Sequence, residues 1–153
     1  MIDKTRLINI HKTVENYLLD IEAIQKFPLD RPEINEQVST DLRGLYVIYD
    51  NGTPIYVGQA GASSKIDNTS IYRLNKRLNQ YLGSDPEPPK DPNEKPYRSA
   101  TQNVRNYLKG KPIKMTDLEF SFLVIQECDI ILIAEQIAIS ILRNSYKDKL
   151  INK

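Results

Sequence analysis

Cysteine and histidine are almost absent from the chain, and tryptophan is missing altogether. Among its 153 residues, Cys128 is the one cysteine and His11 the one histidine. A single thiol forms neither an intrachain disulfide nor a thiolate metal cluster. A single histidine with a single cysteine leaves no basis for the usual zinc sites, which need several such ligands. Any bound metal is therefore expected to be a hard ion, Mg²⁺ or Mn²⁺, held by carboxylate and water.

Long apolar runs and an excess of charge of one sign are missing as well. The most apolar stretch, residues 130–142, is interrupted by Glu135, Gln136 and Ser140 and falls short of the roughly 20 residues that span a bilayer. The first ten residues lack the pattern of a signal peptide. We therefore expect a cytoplasmic protein with no membrane partner. The formal net charge of +1 gives no sign of nucleic-acid binding, so the local distribution of charge matters more.

Hydrophobic periodicity and turn residues predict a single compact unit of class α+β. The predicted elements are, in order, a helix over 5–26, a connector to residue 40, a hairpin over 43–58, a helix from Thr69 or Ser70 to Leu82, a proline-rich surface loop over 84–98, a helix over 100–109, a strand over 118–125 and a helix over 129–144. This order implies a small antiparallel sheet of about three strands flanked by helices. We divide the chain into residues 1–40, an N-terminal helix and connector, and residues 41–153, which carry the motifs.

Two tyrosines of the predicted hairpin, Tyr46 and Tyr56, can act together only if both project from one face of the sheet. A two-residue turn would pair Val47 with Tyr56 and put Tyr46 on the opposite face, because side chains alternate along a strand. A three-residue loop that ends at Gly52 pairs Tyr46 directly with Tyr56. We favour the three-residue loop, since glycine adopts the positive φ that it requires.

The hairpin carries a resemblance to a known family. Gly44-Leu45-Tyr46 and Tyr56-Val57-Gly58, with nine residues between the two tyrosines, resemble the two signature tripeptides of the GIY-YIG nuclease family. Leucine and valine replace the isoleucines and conserve their apolar bulk. The resemblance covers roughly residues 43–152 and implies a metal-dependent endonuclease that hydrolyses phosphodiester bonds in DNA.

In that family a helix bearing an essential arginine follows the second tripeptide. The run from Leu74 to Tyr81 is similar to it, and the match makes Arg77 the arginine that stabilises the transition state. Arg73 lies on the same helical stripe as Arg77, at a spacing of four residues. Tyr81 stands where some members carry histidine or tyrosine, and Gln59 where many carry lysine or serine. The alternative for the arginine helix is an ordinary solvated basic face.

Glu135 is the one acidic residue of the apolar stretch from Ile130 to Leu142. A buried carboxylate is costly unless a cation is close to it. That cation is either an arginine such as Arg77 or a divalent metal. The resemblance favours the metal, because the last helix of the family carries its sole protein carboxylate ligand. It also implies a catalytic asparagine, for which Asn152 fits the context and Asn144 is the rival.

The implied mechanism is hydrolysis in a single step by in-line attack of water, with Tyr46 or Tyr56 as the base. DNA is the expected partner, and a partner protein or a homodimer is a candidate aid to target recognition. No acidic residue lies in the range 95–116, which predicts a phosphate-contacting arm; a solvated helix and loop is the alternative. The predicted DNA-contacting residues are Arg73, Lys76, Lys95, Arg98, Arg105 and Lys109. The other interpretations of the chain are a catalytically inactive nucleic-acid-binding module and a protein-interaction module.

Overall fold

The fold alternates helices with the strands of one antiparallel sheet. A computed structural model describes residues 2–62, 73–83, 93 and 101–152. Within these residues the elements are α1 (Lys4–Leu18), β1 (Phe27–Pro28), α2 (Arg31–Gln37), β2 (Gly44–Asp50), β3 (Thr53–Ala60), α3 (Leu74–Gln80), α4 (Gln102–Leu108), β4 (Glu119–Val124) and α5 (Ile131–Ser145). The α+β prediction is confirmed. None of the described helices combines the length and the apolar content needed to cross a bilayer.

The sheet has the strand order β1-β4-β2-β3 and carries helices on both faces. Because β2 lies between β4 and β3, its residues from Gly44 to Tyr49 are all buried. Leu45 and Val47 face α1 and α5 on one side of the sheet. Tyr46 and Ile48 face α2, α3 and α4 on the other side. The sequence predicted three of these strands and missed β1, which is only two residues long.

The hairpin closes with a two-residue turn, so the predicted three-residue loop is wrong. Asp50 pairs with Thr53, and the two residues between them, Asn51 and Gly52, have φ angles of 50° and 81°. Positive φ at both central positions is typical of a type I′ turn, whose twist matches that of the flanking strands. An Asn-Gly pair suits this turn because both residue types tolerate the left-handed region.

A β-bulge then sets which hairpin side chains share a face. Tyr49 pairs with Pro54 whereas Ile48 pairs with Tyr56, so Ile55 is an extra residue in β3. The bulge shifts the alternation of β3 by one residue, and Tyr46 pairs with Gly58 instead of Tyr56. Both tyrosines nevertheless project from the same face, with their ring centroids 6.4 Å apart.

The N-terminal quarter of the chain differs from the prediction in two places. The first helix ends at Leu18, not at residue 26, and the Lys26 ammonium donates hydrogen bonds to backbone carbonyls in the turns that follow. Residues 31–37, predicted as part of a connector, form α2. Asp30 caps that helix by accepting a hydrogen bond from the Glu33 N–H, and Pro32 lies in the first turn, where a missing N–H costs nothing.

Two further predicted segments are described only in part. The predicted start at Thr69 or Ser70 and the loop over 84–98 lie outside the described residues, apart from Asn93. The described part of the arginine helix, α3, buries Leu74 and Leu78 as predicted. The predicted helices at 100–109 and 129–144 and the strand at 118–125 are confirmed to within a few residues as α4, α5 and β4.

Gly44, the first residue of the first tripeptide, permits the close pairing of β2 with β4. Its φ is +147°, and a Cβ atom at this position would lie 1.9 Å from the backbone oxygen of Leu123. Any side chain would therefore push apart the two central strands of the sheet. The glycine is required by strand packing, whatever the chemistry of the neighbouring tyrosine.

We predict that Gly44→Ala lowers the free energy of unfolding by about 2–3 kcal/mol, at the upper end of ordinary substitutions. Gly110→Ala is the matched control, because Gly110 also has a positive φ, +78°, but nothing lies within 4 Å of its would-be Cβ. The control should lose only about 1 kcal/mol, the backbone cost of a left-handed residue. Urea unfolding measures both, and equal losses for the two variants would contradict the steric argument.

Candidate active site

Tyr46, from the first tripeptide, lies in a buried pocket beside Tyr81. Its hydroxyl is 2.8 Å from the Tyr81 hydroxyl, and both residues are 1% exposed. The two rings meet edge to face, with centroids 5.9 Å apart. A Cβ on Gly58 would lie 2.1 Å from the Tyr46 ring. Because Gly58 has no side chain, the second tripeptide leaves room for the Tyr46 ring of the first.

Tyr56 is the more accessible of the two hairpin phenols. It is half-buried, whereas Tyr46 is almost fully enclosed. Burial raises the pKa of both phenols, and the Glu135 carboxylate raises that of Tyr56 further. Hydrogen bonding to Asn103 on α4 acts in the opposite direction on Tyr56. Both phenols of the free protein therefore keep their protons at neutral pH.

Arg77 lies on α3 between the buried residues Leu74 and Leu78, which anchor the helix on the sheet. Its side chain is half-buried. Burial raises the pKa of Tyr46, Tyr56, Tyr81 and Glu135, and the Arg77 charge lowers the pKa of each and so offsets part of that shift. One guanidinium is thus close enough to act electrostatically on every acidic group of the cluster.

Glu135 lies on α5 and completes this cluster. Its carboxyl is half-buried, and burial raises its pKa despite the Arg77 charge. Within the described part of the chain the carboxylate forms neither a hydrogen bond nor an ion pair. The sequence left two possible cations beside Glu135, Arg77 and a divalent metal. The ion pair between Glu135 and Arg77 is not formed.

A half-buried carboxylate that has no hydrogen-bond or ion-pair partner among the described residues fits a hard divalent cation. Oxygen donors are the ligands that Mg²⁺ and Mn²⁺ prefer. Within the described ranges no group of three or more carboxylate, histidine or cysteine side chains converges. An ion at this position would have the Glu135 carboxylate as a ligand.

Asn152, the predicted catalytic asparagine, uses its whole carboxamide on the backbone of Val57. Its Oδ1 accepts from the Val57 N–H, and its Nδ2 donates to the Val57 carbonyl, both at 2.8 Å. Contact with a substrate stays a prediction for this residue. The rival, Asn144, is exposed on α5. The Gln59 side-chain oxygen is buried and accepts no hydrogen bond from the described residues.

The predicted DNA-contacting residues fall into three groups. Arg73 and Arg105 donate to protein acceptors: Arg73 to the Asp41 carbonyl at 3.3 Å, and Arg105 to the carbonyl of Gln80 at 2.8 Å among others. Arg105 thereby joins α4 to the end of the arginine helix α3. Exposed lysines form the second group, Lys76 and Lys109. Lys95 and Arg98 lie outside the described residues. Contact with DNA stays a prediction for all six.

Sequence reasoning missed Asn103 as a neighbour of the hairpin tyrosines. Its position on the predicted helix 100–109 was known, but nothing in the sequence indicated which face of that helix approaches Tyr56. In the structure, Val104 is the buried residue of α4 and belongs to the same hydrophobic cluster as Tyr46. A polar residue next to Val104 is thereby brought beside Tyr56.

Neither a scan against protein-family models nor a search of curated proteins found a match for this chain. We therefore infer the candidate site from the residues and from their arrangement. Three separate elements, the hairpin, α3 and α5, contribute two phenols, a guanidinium and a carboxylate to one cluster. Such a cluster can hold an anion beside a cation and exchange protons with it.

We predict that Glu135→Gln changes how the stability of the protein depends on pH and on metal. Because burial raises the pKa of Glu135, its contribution to stability is fully present below the ordinary glutamate pKa and is lost as pH rises through the raised value. The glutamine variant lacks this loss. In thermal unfolding with EDTA, it should therefore gain stability relative to the natural chain as pH rises toward neutrality.

Added Mg²⁺ or Mn²⁺ should reverse that order. At about ten times the dissociation constant, an ion bound only to the folded chain adds about 1.4 kcal/mol, or about 3–6 °C in melting temperature. The variant should show no such rise. Glu36→Gln is the control, because Glu36 is exposed on α2 and should leave the metal response intact. Equal responses of all three proteins would exclude Glu135 as a ligand.

Proposed function

We propose that the chain is a metal-dependent DNA endonuclease of the GIY-YIG type. The observation that carries the proposal is the meeting of Tyr46, Tyr56, Arg77 and Glu135, which lie far apart in sequence, in one cluster of mutual electrostatic influence. The glycines of both tripeptides support it. The Leu123 backbone approaches Gly44 closely, and the Tyr46 ring approaches Gly58 closely, so neither position has room for a side chain. The second contact joins the two tripeptides directly.

Arg77 is the residue that binds the scissile phosphate in this proposal. A guanidinium presents two parallel N–H donors to phosphate oxygens, and the packing of Leu74 and Leu78 holds the helix from which it extends. In the transition state of an in-line attack, negative charge grows on the non-bridging oxygens of the phosphate. A positive group fixed beforehand at that place lowers the barrier without having to move.

The phenol pair supplies the base. Tyr46 or Tyr56 takes the proton of the attacking water, while Tyr81 holds the Tyr46 hydroxyl in place through their hydrogen bond. A phenol works as a base near neutral pH only when positive charge lowers its pKa, and Arg77 provides part of that charge. When bound at Glu135, Mg²⁺ or Mn²⁺ would supply further positive charge and neutralise the leaving oxygen.

In this proposal two exposed lysines contact the DNA backbone. Lys76 adjoins Arg77 on α3, and Lys109 follows the last turn of α4. Phosphate contacts of this kind position a duplex without reading its sequence. Target recognition therefore needs other surfaces, a partner protein or a second copy of the chain.

A binding module without catalysis is the second candidate. The observation that favours it is the raised pKa of each phenol in the cluster, since a protonated phenol cannot accept a proton. Such a module would bind DNA through Arg77 and the lysines and leave it intact. The Arg77 experiment below separates the two candidates, because only an enzyme loses turnover.

We predict that Arg77→Ala lowers the rate of DNA cleavage about 10³-fold or more, as loss of a charge-stabilising arginine does in phosphoryl transfer. Arg77→Lys keeps the charge but loses the two-pronged geometry and should recover only part of the rate. Arg31→Ala is the control, because Arg31 is an exposed arginine at the start of α2. The measurement is nicking of supercoiled DNA with Mg²⁺. Cleavage by Arg77→Ala at the rate of the control would refute the assignment.

A further inference from the structure

The chain turns back on itself after α5. The residues concerned, 146–152, are called the return segment here. The Tyr146 N–H donates to the Leu142 carbonyl at 2.7 Å, and the Tyr146 carbonyl accepts from the N–H of Lys149 and of Leu150, each at 2.9 Å. These bonds form a tight turn at the end of the helix. They direct the last described residues toward the free edge of the sheet.

At that edge the return segment bonds to both neighbours of Tyr56. The Ile151 N–H donates to the Ile55 carbonyl at 2.7 Å. Two residues along the strand, the Asn152 carboxamide exchanges its pair of 2.8 Å bonds with the backbone of Val57. A carboxamide carries one acceptor and one donor side by side, as a peptide group does, so it can replace a neighbouring strand.

This edge is the place where β3 most needs support. The strand lies at the end of the sheet order, so its outer N–H and C=O groups have no partner strand in the described part of the chain. Ile55 is also the residue of the β-bulge, where the ladder with β2 is interrupted. The return segment therefore stabilises β3 where the bulge weakens the pairing that orients Tyr56.

The same segment connects the strand of Tyr56 to the helix of Glu135. Arg143, in the last turn of α5, donates from Nη2 to the Asn152 carbonyl at 3.3 Å. Asn152 is thus bonded to α5 through its backbone and to β3 through its side chain.

We propose that Asn152 is a positioning residue, which acts on the reaction by fixing the second tripeptide relative to α5 and touches no substrate atom. The proposal rests on the nuclease function proposed above. Val57 is the middle residue of that tripeptide, between Tyr56 and Gly58, and Gly58 is the surface on which the Tyr46 ring lies. Releasing Val57 therefore loosens both phenols at once.

The first arm of the test needs no enzyme activity. In Asn152→Ala the Val57 amide loses its acceptor, so its hydrogen exchange, measured by NMR on the full chain, should become at least about tenfold faster. Amides of the central strand β2 should keep their natural rates, which shows that the variant is folded. Unchanged exchange at Val57 would overturn the proposed connection, whether or not the chain cleaves DNA.

The second arm measures cleavage by the same variant. We expect kcat to fall about 10- to 100-fold, as small misplacements of reacting groups cause, with KM within about twofold of the natural value. Asn16→Ala, an exposed asparagine on α1, should leave both constants unchanged. Fast Val57 exchange with an unchanged kcat, or a rise in KM alone, would overturn the positioning role. Absence of cleavage by the natural chain would reject the nuclease function, and the exchange arm would still test the connection itself.

Discussion

One extra residue in an edge strand determines the geometry of the whole cluster. Without the bulge at Ile55, the two-residue turn would pair Val47 with Tyr56 and direct that phenol toward the α5 face of the sheet. Tyr46 would remain on the other face, beside Tyr81. The bulge reverses the alternation of β3 past this point, so that both phenols reach the face on which α3 presents Arg77.

Burial and charge oppose each other within this cluster. Enclosing Tyr46 and Tyr81 gives the sheet a tightly packed face, but it raises the pKa of both phenols. Half-burial of Glu135 has the same effect on its carboxyl, and Arg77 offsets only part of these shifts. Without a bound cation, the site therefore favours the protonated forms of its phenols and of its carboxyl group. A bound cation would reverse that preference, so the proposed hydrolytic function would require one here.

The sequence predicted the elements that bear the cluster because their signals are local. Gly44 and Gly58 bracket an alternating hairpin, and Leu74 and Leu78 mark the buried stripe of α3. The register was mispredicted for two reasons: the turn has two residues instead of three, and a bulge leaves no mark in turn chemistry. Helix α2 was missed because prolines were taken as breakers, although Pro32 stands in a first turn capped by Asp30. The backbone contacts of Asn152 depend on where the chain returns after α5, and no local pattern encodes such a long-range contact.

In the proposed function these side chains act together on DNA with a divalent ion. Its most direct test is incubation of supercoiled and linear DNA with the purified chain in Mg²⁺, in Mn²⁺ or in EDTA, followed by electrophoresis. We expect nicked or linearised products with at least one of the two ions and intact DNA with EDTA. DNA left intact under all three conditions, or cut equally in EDTA, would contradict it.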